Sequence, residues 1–153
     1  MSSDRSHLKP LAFNLDKLHL LKEIDFFALF EDSDLTKLVD EGSWLRIPAG
    51  TLIIHEGDLE QVFYILVRGR MRVFKNKKTL AFLSCGEIFG EMGALLFESR
   101  SANVLALEDC YVFKYSEMNL LRLPKNILYP VMKYIFGVTA KRLQKINRKY
   151  ALL

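Results

Sequence analysis

A carboxylate and a guanidinium, Glu91 and Arg100, flank a short apolar turn in the stretch Phe89–Val104, FGEMGALLFESRSANV. Gly90 stands directly before the acid and Ser101 directly after the base. Few ligands need one acid and one base held that close. A sugar phosphate does, because a carboxylate accepts hydrogen bonds from ribose hydroxyls and a guanidinium meets phosphate oxygens as a fork. The intervening Met92-Gly93-Ala94-Leu95-Leu96-Phe97 suits one helical turn. Its free N–H groups, near Gly90 to Ala94, are expected to face the anion. An ordinary ion pair closing a loop, with the glycines as turn residues, uses the same residue types.

Other chemistries find less support. A metal-dependent roll enzyme needs several His ligands and a carboxylate inside the roll. This chain has three His, and His7 and His19 precede the strand-rich region, leaving His55 alone there. A lone His is more often structural. No Ser-His-Asp or Cys-His arrangement is visible, so no catalytic residue is expected. Cys85 and Cys110 lack close spacing and read as two reduced, half-buried thiols of a cytoplasmic protein.

The pattern around Glu91 and Arg100 resembles the phosphate-binding cassette of the cyclic nucleotide-binding domain family. Three further segments carry the resemblance in order. Pro48-Ala49-Gly50 through His55-Glu56-Gly57-Asp58 is similar to the family's PAG…EGD segment. Phe63-Tyr64-Ile65-Leu66 with Gly69 and Val73 is similar to its FYIL..G stretch, and Gly86-Glu87-Ile88-Phe89-Gly90-Glu91 to GE.FGE. Ser99 stands where the family commonly has Pro, which loosens the turn and removes no ligand. Arg100-Ser101-Ala102 resembles the bacterial catabolite activator group.

The resemblance implies a sensor that binds cAMP or possibly cGMP, with no further cofactor. It implies Phe89, Gly90 and Glu91 at the ribose, and backbone N–H groups of Met92, Gly93 and Ala94 near the phosphate. Arg100, Ser101 and Ala102 complete the phosphate side. Val73, Phe82 and Leu83 are expected on the base side. The last helix caps the base in this family, which places Arg142 at the ligand or Glu91, and Ile146 and Asn147 near the base. Members selective for cGMP tend to carry Thr where this chain has Ser101, which favours cAMP here. Signalling is expected by population shift, with the last helix closing on the cassette and changing a surface for an unknown protein partner. The alternatives are a non-binding roll used as an interaction module, or nucleic-acid contact through the basic C-terminal helix.

These residues need elements to hold them. At 153 residues, half of them hydrophobic, the length suits one domain with its own core. The expected fold is α+β: an antiparallel β-roll, jelly-roll-like, flanked by N-terminal and C-terminal helices. Residues 1–13 read as loose and polar, without a secretory signal, and 14–153 as a single domain. Leu15, Leu18, Leu20, Leu21, Ile24 and Phe27 recur at helical spacing and predict a helix from Asn14 to Phe30. A second helix is expected from Ser33 or Asp34 to a stop at Gly42. From residue 43 to 115, short runs rich in Val, Ile, Phe and Tyr alternate with turns. They predict strands at Trp44–Ile47, Thr51–His55, Gln61–Val67, Arg70–Lys75, Lys77–Leu83, Asn103–Leu107 and Cys110–Tyr115, with Asn76 at a hairpin tip. Ser116–Leu121 predicts a short helix and Ile127 to about Tyr150 a long one, in which Pro130 fits only within the first turn.

Charge is uneven along this layout. All 18 acids lie at or before Glu117, and eight of the 22 bases follow it, so the tail is +8 and the rest −4. A solvated helix face accounts for such a tail, as does contact with a bound anion or acidic partner. The tail is expected to be the moving cap of the site, with a homodimer through the same helix as a further possibility. Nucleic acid is the weaker partner, because no groove-reading module is expected up to Leu153. No apolar run is long enough for a membrane span.

Overall fold

The structure, a computed structural model, describes residues 8–151. The looseness expected of residues 1–7, His7 itself and the last two residues lie outside the described residues. Eight strands are described: Ser43–Ile47 (β1), Leu52–Ile54 (β2), Val62–Arg68 (β3), Met71–Lys75 (β4), Lys78–Leu83 (β5), Ile88–Phe89 (β6), Asn103–Ala106 (β7) and Cys110–Ser116 (β8). They form two antiparallel four-stranded sheets, ordered β1-β8-β3-β6 and β2-β7-β4-β5. The helices are Leu18–Leu21 (α1), Asp25–Ala28 (α2), Asp32–Glu41 (α3), Glu91–Leu96 (α4), Glu117–Leu121 (α5) and Lys125–Ala151 (α6). The fold is α+β, a β-roll between helices.

Two apolar clusters hold it together. One lies between the roll's two sheets and includes Ile47, Ile53, Leu66, Met71, Val104 and Val112. The other joins the first sheet to the helices through Phe27, Leu38, Phe63, Phe113, Ile127 and Ile135. Tyr115 on β8 is fully buried in it and donates its hydroxyl to the Leu38 carbonyl of α3 at 2.9 Å. That bond satisfies a phenol which burial would otherwise leave unpaired.

Three expectations change. The continuous helix from Asn14 to Phe30 is instead a 3-10 turn at Leu15–Lys17 followed by α1 and α2. Phe26 and Phe27 are both fully buried, and on one straight helix adjacent residues point about 100° apart. Both stay on α2, which the extended Ile24 sets off from α1, and they are buried on different sides of it: Phe26 meets Tyr134 of α6 at 5.4 Å and Phe27 meets Phe113 of β8 at 5.5 Å. Residues 8–13 are tied down and not loose: Leu11 donates its N–H to the Trp44 carbonyl at 2.7 Å, and Phe13 meets the Trp44 ring edge-on at 5.3 Å. Pro130 lies in the second turn of α6, because that helix begins at Lys125, two residues earlier than expected. Its missing N–H costs the helix one bond to Asn126.

The remaining elements fall within a residue or two of expectation. Asn76 and Lys77 have φ of 52° and 64° and form the two-residue turn between β4 and β5. Ser116 caps α5 and does not start it: its hydroxyl accepts from the Asn119 N–H at 3.1 Å, and Asn119 Oδ1 accepts from the Ser116 N–H at 2.9 Å. The two-residue strand β6 was not expected from the sequence.

Candidate functional site

The short strand β6 delivers the chain to the site. Ile88 and Phe89 pair with Ile65 and Tyr64 of β3, and the Phe89 ring stacks on Tyr64 at 5.2 Å. Gly90 then turns left-handed, φ +79°, and α4 begins at Glu91. A side chain at Gly90 meets strain from that φ. The first N–H groups of α4 lie beside the Gly90 turn, and among them Ala94 donates to the Gly90 carbonyl at 3.3 Å. Phe97, also left-handed, ends the helix.

Arg100 returns to the same place by a backbone clamp. Its N–H donates to the Asp58 carbonyl at 2.9 Å, and its carbonyl accepts from the Gly57 N–H at 2.8 Å. The His55–Asp58 turn is thus the brace that sets this arginine's position. His55 serves that turn too, with Nδ1 3.0 Å from the Glu56 carbonyl. The Arg100 side chain is only 6 % exposed. Its guanidinium donates through Nη1 to the Gly90 carbonyl at 2.6 Å and through Nη2 to the Val62 carbonyl of β3 at 2.5 Å. Gly93 makes room for it: a Cβ there would lie 2.3 Å from Nη1.

Glu91 is 5 % exposed and meets a second arginine from the far end of the chain. Arg142 of α6 donates through Nη1 to Glu91 Oε1 at 2.6 Å and through Nη2 to the Ile88 carbonyl at 2.5 Å. The Ile88 carbonyl had no signal in the sequence, since backbone acceptors carry none. Gly93 and Ala94 are buried, Ser101 is exposed, Ala102 is half-buried and Met92 is exposed.

Two buried, oppositely charged side chains, a glycine turn and a helix start therefore converge within one cassette, and a C-terminal helix reaches it. Residues 44–126 match the cyclic nucleotide-binding domain family. The chain belongs to that family. It is 32 % identical over 112 residues to the cyclic AMP receptor protein of Thermus thermophilus, covering 69 % of this chain and 51 % of that protein. The crystal structure of a Thermus thermophilus catabolite activator protein is similar, with a TM-score of 0.75 at 28 % identity over 84 % of this chain and 62 % of the other. A cyclic nucleotide-binding domain from Methylobacillus flagellatus shares the fold, with a TM-score of 0.82 at 21 % identity over 95 % of this chain and 88 % of that one. The chain thus spans about half the length of the curated receptor it matches.

Within this cyclic nucleotide-binding domain the other expected residues divide. Val73 and Leu83 share the inward face of β4 and β5, where Val73 pairs with Ala81 and Met71 with Leu83. Phe82 does not join them. It pairs with Arg72 on the opposite face, is 53 % exposed, and has the Arg70 guanidinium over its ring at 5.2 Å. Neighbours in a strand alternate between faces, so Phe82 and Leu83 cannot line the same wall. Ile146 and Asn147 are exposed, one turn beyond Arg142. Cys110 is buried and Cys85 exposed, both free, so the expectation of two half-buried thiols is corrected. Among the described residues no cluster of His, Cys, Asp and Glu forms a metal site, and no helix is long and apolar enough to cross a membrane.

Proposed function

We propose that this domain binds a cyclic mononucleotide, prefers cAMP to cGMP, and reports binding through α6 as a non-enzymatic regulator in the cytoplasm. The observation that carries this reading is the pair of buried side chains, Glu91 and Arg100, set around the start of α4. Glu91 accepts the ribose hydroxyl. Arg100, the Ser101 hydroxyl and the N–H groups of Met92, Gly93 and Ala94 take the cyclic phosphate. Val73 and Leu83 form the apolar side for the base. Free thiols at Cys85 and Cys110 suit a reducing compartment.

Binding and signalling share one group. Glu91 holds Arg142 at 2.6 Å, so a ribose arriving at Glu91 acts on the contact that ties α6 to the cassette. The equilibrium of α6 then depends on the ligand, which is all that a population shift needs. A second reading has one observation in its favour. The Arg100 guanidinium already serves the Gly90 and Val62 carbonyls, as a structural arginine would. Under that reading the roll is an interaction module without a ligand.

Calorimetry with cAMP, cGMP and cyclic dinucleotides separates the two. Saturable binding of cAMP is expected, about tenfold tighter than cGMP, near 1.4 kcal/mol. Arg100→Ala should weaken it about a hundredfold, because the phosphate stays desolvated without its fork. Flat titrations with every cyclic nucleotide would establish the interaction module instead.

A further inference from the structure

A cleft of about 370 Å³ lies on the other side of the molecule from the cassette's end of β3. Arg68, at its rim, is six residues along β3 from Val62, whose carbonyl holds Arg100, so the two places are about 20 Å apart along the strand. The floor is aromatic. Trp44 of β1 stacks on Tyr111 of β8 at 5.4 Å, and Phe13 closes the side edge-on. Trp44, Phe13 and Val67 pack against the helix-side core, so the floor is fixed by the fold. Leu20, 46 % exposed, leaves apolar surface at the lip.

The charged groups at this cleft have one sign. Lys17 and Arg68 line it, and none of its lining residues is an Asp or Glu. Neither cation forms an ion pair among the described residues, although the chain pairs Lys22 with Asp32 and Arg46 with Asp109 nearby in sequence and on the roll. Two unpaired cations over an apolar, aromatic floor match a ligand with the reverse arrangement. Small-ligand sites have this character, with mostly apolar walls and a few charged groups that fix orientation. The volume falls at the lower end of the range for such sites.

We propose that this cleft is a second ligand site, independent of the nucleotide cassette, for an amphipathic carboxylate. A medium-length aliphatic body lies on Trp44, Phe13 and Leu20, and its carboxylate sits between Lys17 and Arg68. The two cations hold the head group and the aromatic floor removes the body from water.

Trp44 is the chain's only tryptophan, so its emission reports this cleft alone. The full chain is titrated with decanoate below about 1 mM, with and without saturating cAMP, and with 1-decanol as the uncharged comparison. A saturable change in Trp44 emission is expected, unaffected by cAMP and much weaker with decanol. The exposed pair Lys17→Gln/Arg68→Gln should bind decanoate about tenfold more weakly, with its circular dichroism unchanged. An absent or non-saturating change overturns the site. Equal affinity in the double variant, or equal response to decanol, reduces it to an apolar crevice with no anion recognition. Loss of the response with cAMP shows that the two ligands compete or are coupled and refutes a site independent of the cassette.

Discussion

The distance of 2.3 Å between a Cβ built at Gly93 and Arg100 Nη1 makes that glycine a gauge of how closely the arginine is cradled. Gly93→Ala has ordinary helical φ, so the fold accommodates it and the guanidinium must give way. The variant should lose about 1–2 kcal/mol of stability with the Gly90 hydrogen bond. Its cAMP affinity should fall about tenfold or more, as titration calorimetry would measure; unchanged affinity would show that Arg100 does not meet the phosphate. Tyr115 offers a separate test of the fold. Burial holds its phenol far above the ordinary tyrosine range. A raised folded value stabilises below the unfolded pKa, and that contribution is lost as pH rises. Unfolding free energy should therefore fall above about pH 10, where the unfolded tyrosine ionises and the folded one does not. Tyr115→Phe removes this residue's part of the alkaline loss, at the cost of about 1 kcal/mol near neutral pH for the Leu38 carbonyl left unpaired. An alkaline denaturation profile identical in slope to the parent's would show that Tyr115 ionises freely when folded.

The β4–β5 hairpin turns on two residues with positive φ, and Lys77 is the more costly of them because it is not a Gly or Asn. Lys77→Gly gives the turn its preferred Asn-Gly pair and should add about 0.5–1 kcal/mol, read as a higher midpoint in urea. A lower midpoint would mean that the Lys77 side chain holds something the turn needs. Asn76 was recognisable as the tip because turn chemistry is local. The same holds for β1, β3 and β4, whose apolar runs stop just before Pro48, Gly69 and Asn76. Glu91 and Arg100 were legible because their types and their flanking glycines are themselves the signal. What escaped prediction depends on contacts distant in sequence. Strand β6 has two residues, too few for alternation to show. The extended Ile24 separates α1 from a short α2 that buries Phe26 against α6 and Phe27 against β8, contacts that periodicity alone does not reveal. Phe82 was misassigned because the choice of inward face rests on register, and here Met71↔Leu83 and Val73↔Ala81 set it.

Helix α6 leaves a seam open to water along its length. Tyr129, Phe136, Leu143 and Tyr150 are spaced by sevens and all exposed, Phe136 at 76 %. A seven-residue repeat of apolar groups suits a second helix of the same kind, related by a two-fold axis. The domain should therefore sediment as a dimer at micromolar concentration, and Phe136→Asp/Leu143→Asp should return it to a monomer with its fold retained. Sedimentation of the parent as a monomer throughout would leave the seam for a different partner. The helix is also a mechanical arm. Its last buried residue is Ile135, and nothing after it is buried. With 1.5 Å of rise per residue, Arg142 lies about 10 Å beyond that fulcrum and Ala151 about 24 Å beyond it. Any tilt about Ile135 is thus magnified roughly twofold between the arginine that touches Glu91 and the far tip. A displacement the size of one hydrogen bond's stretch at the cassette becomes a swing that a neighbouring molecule can feel.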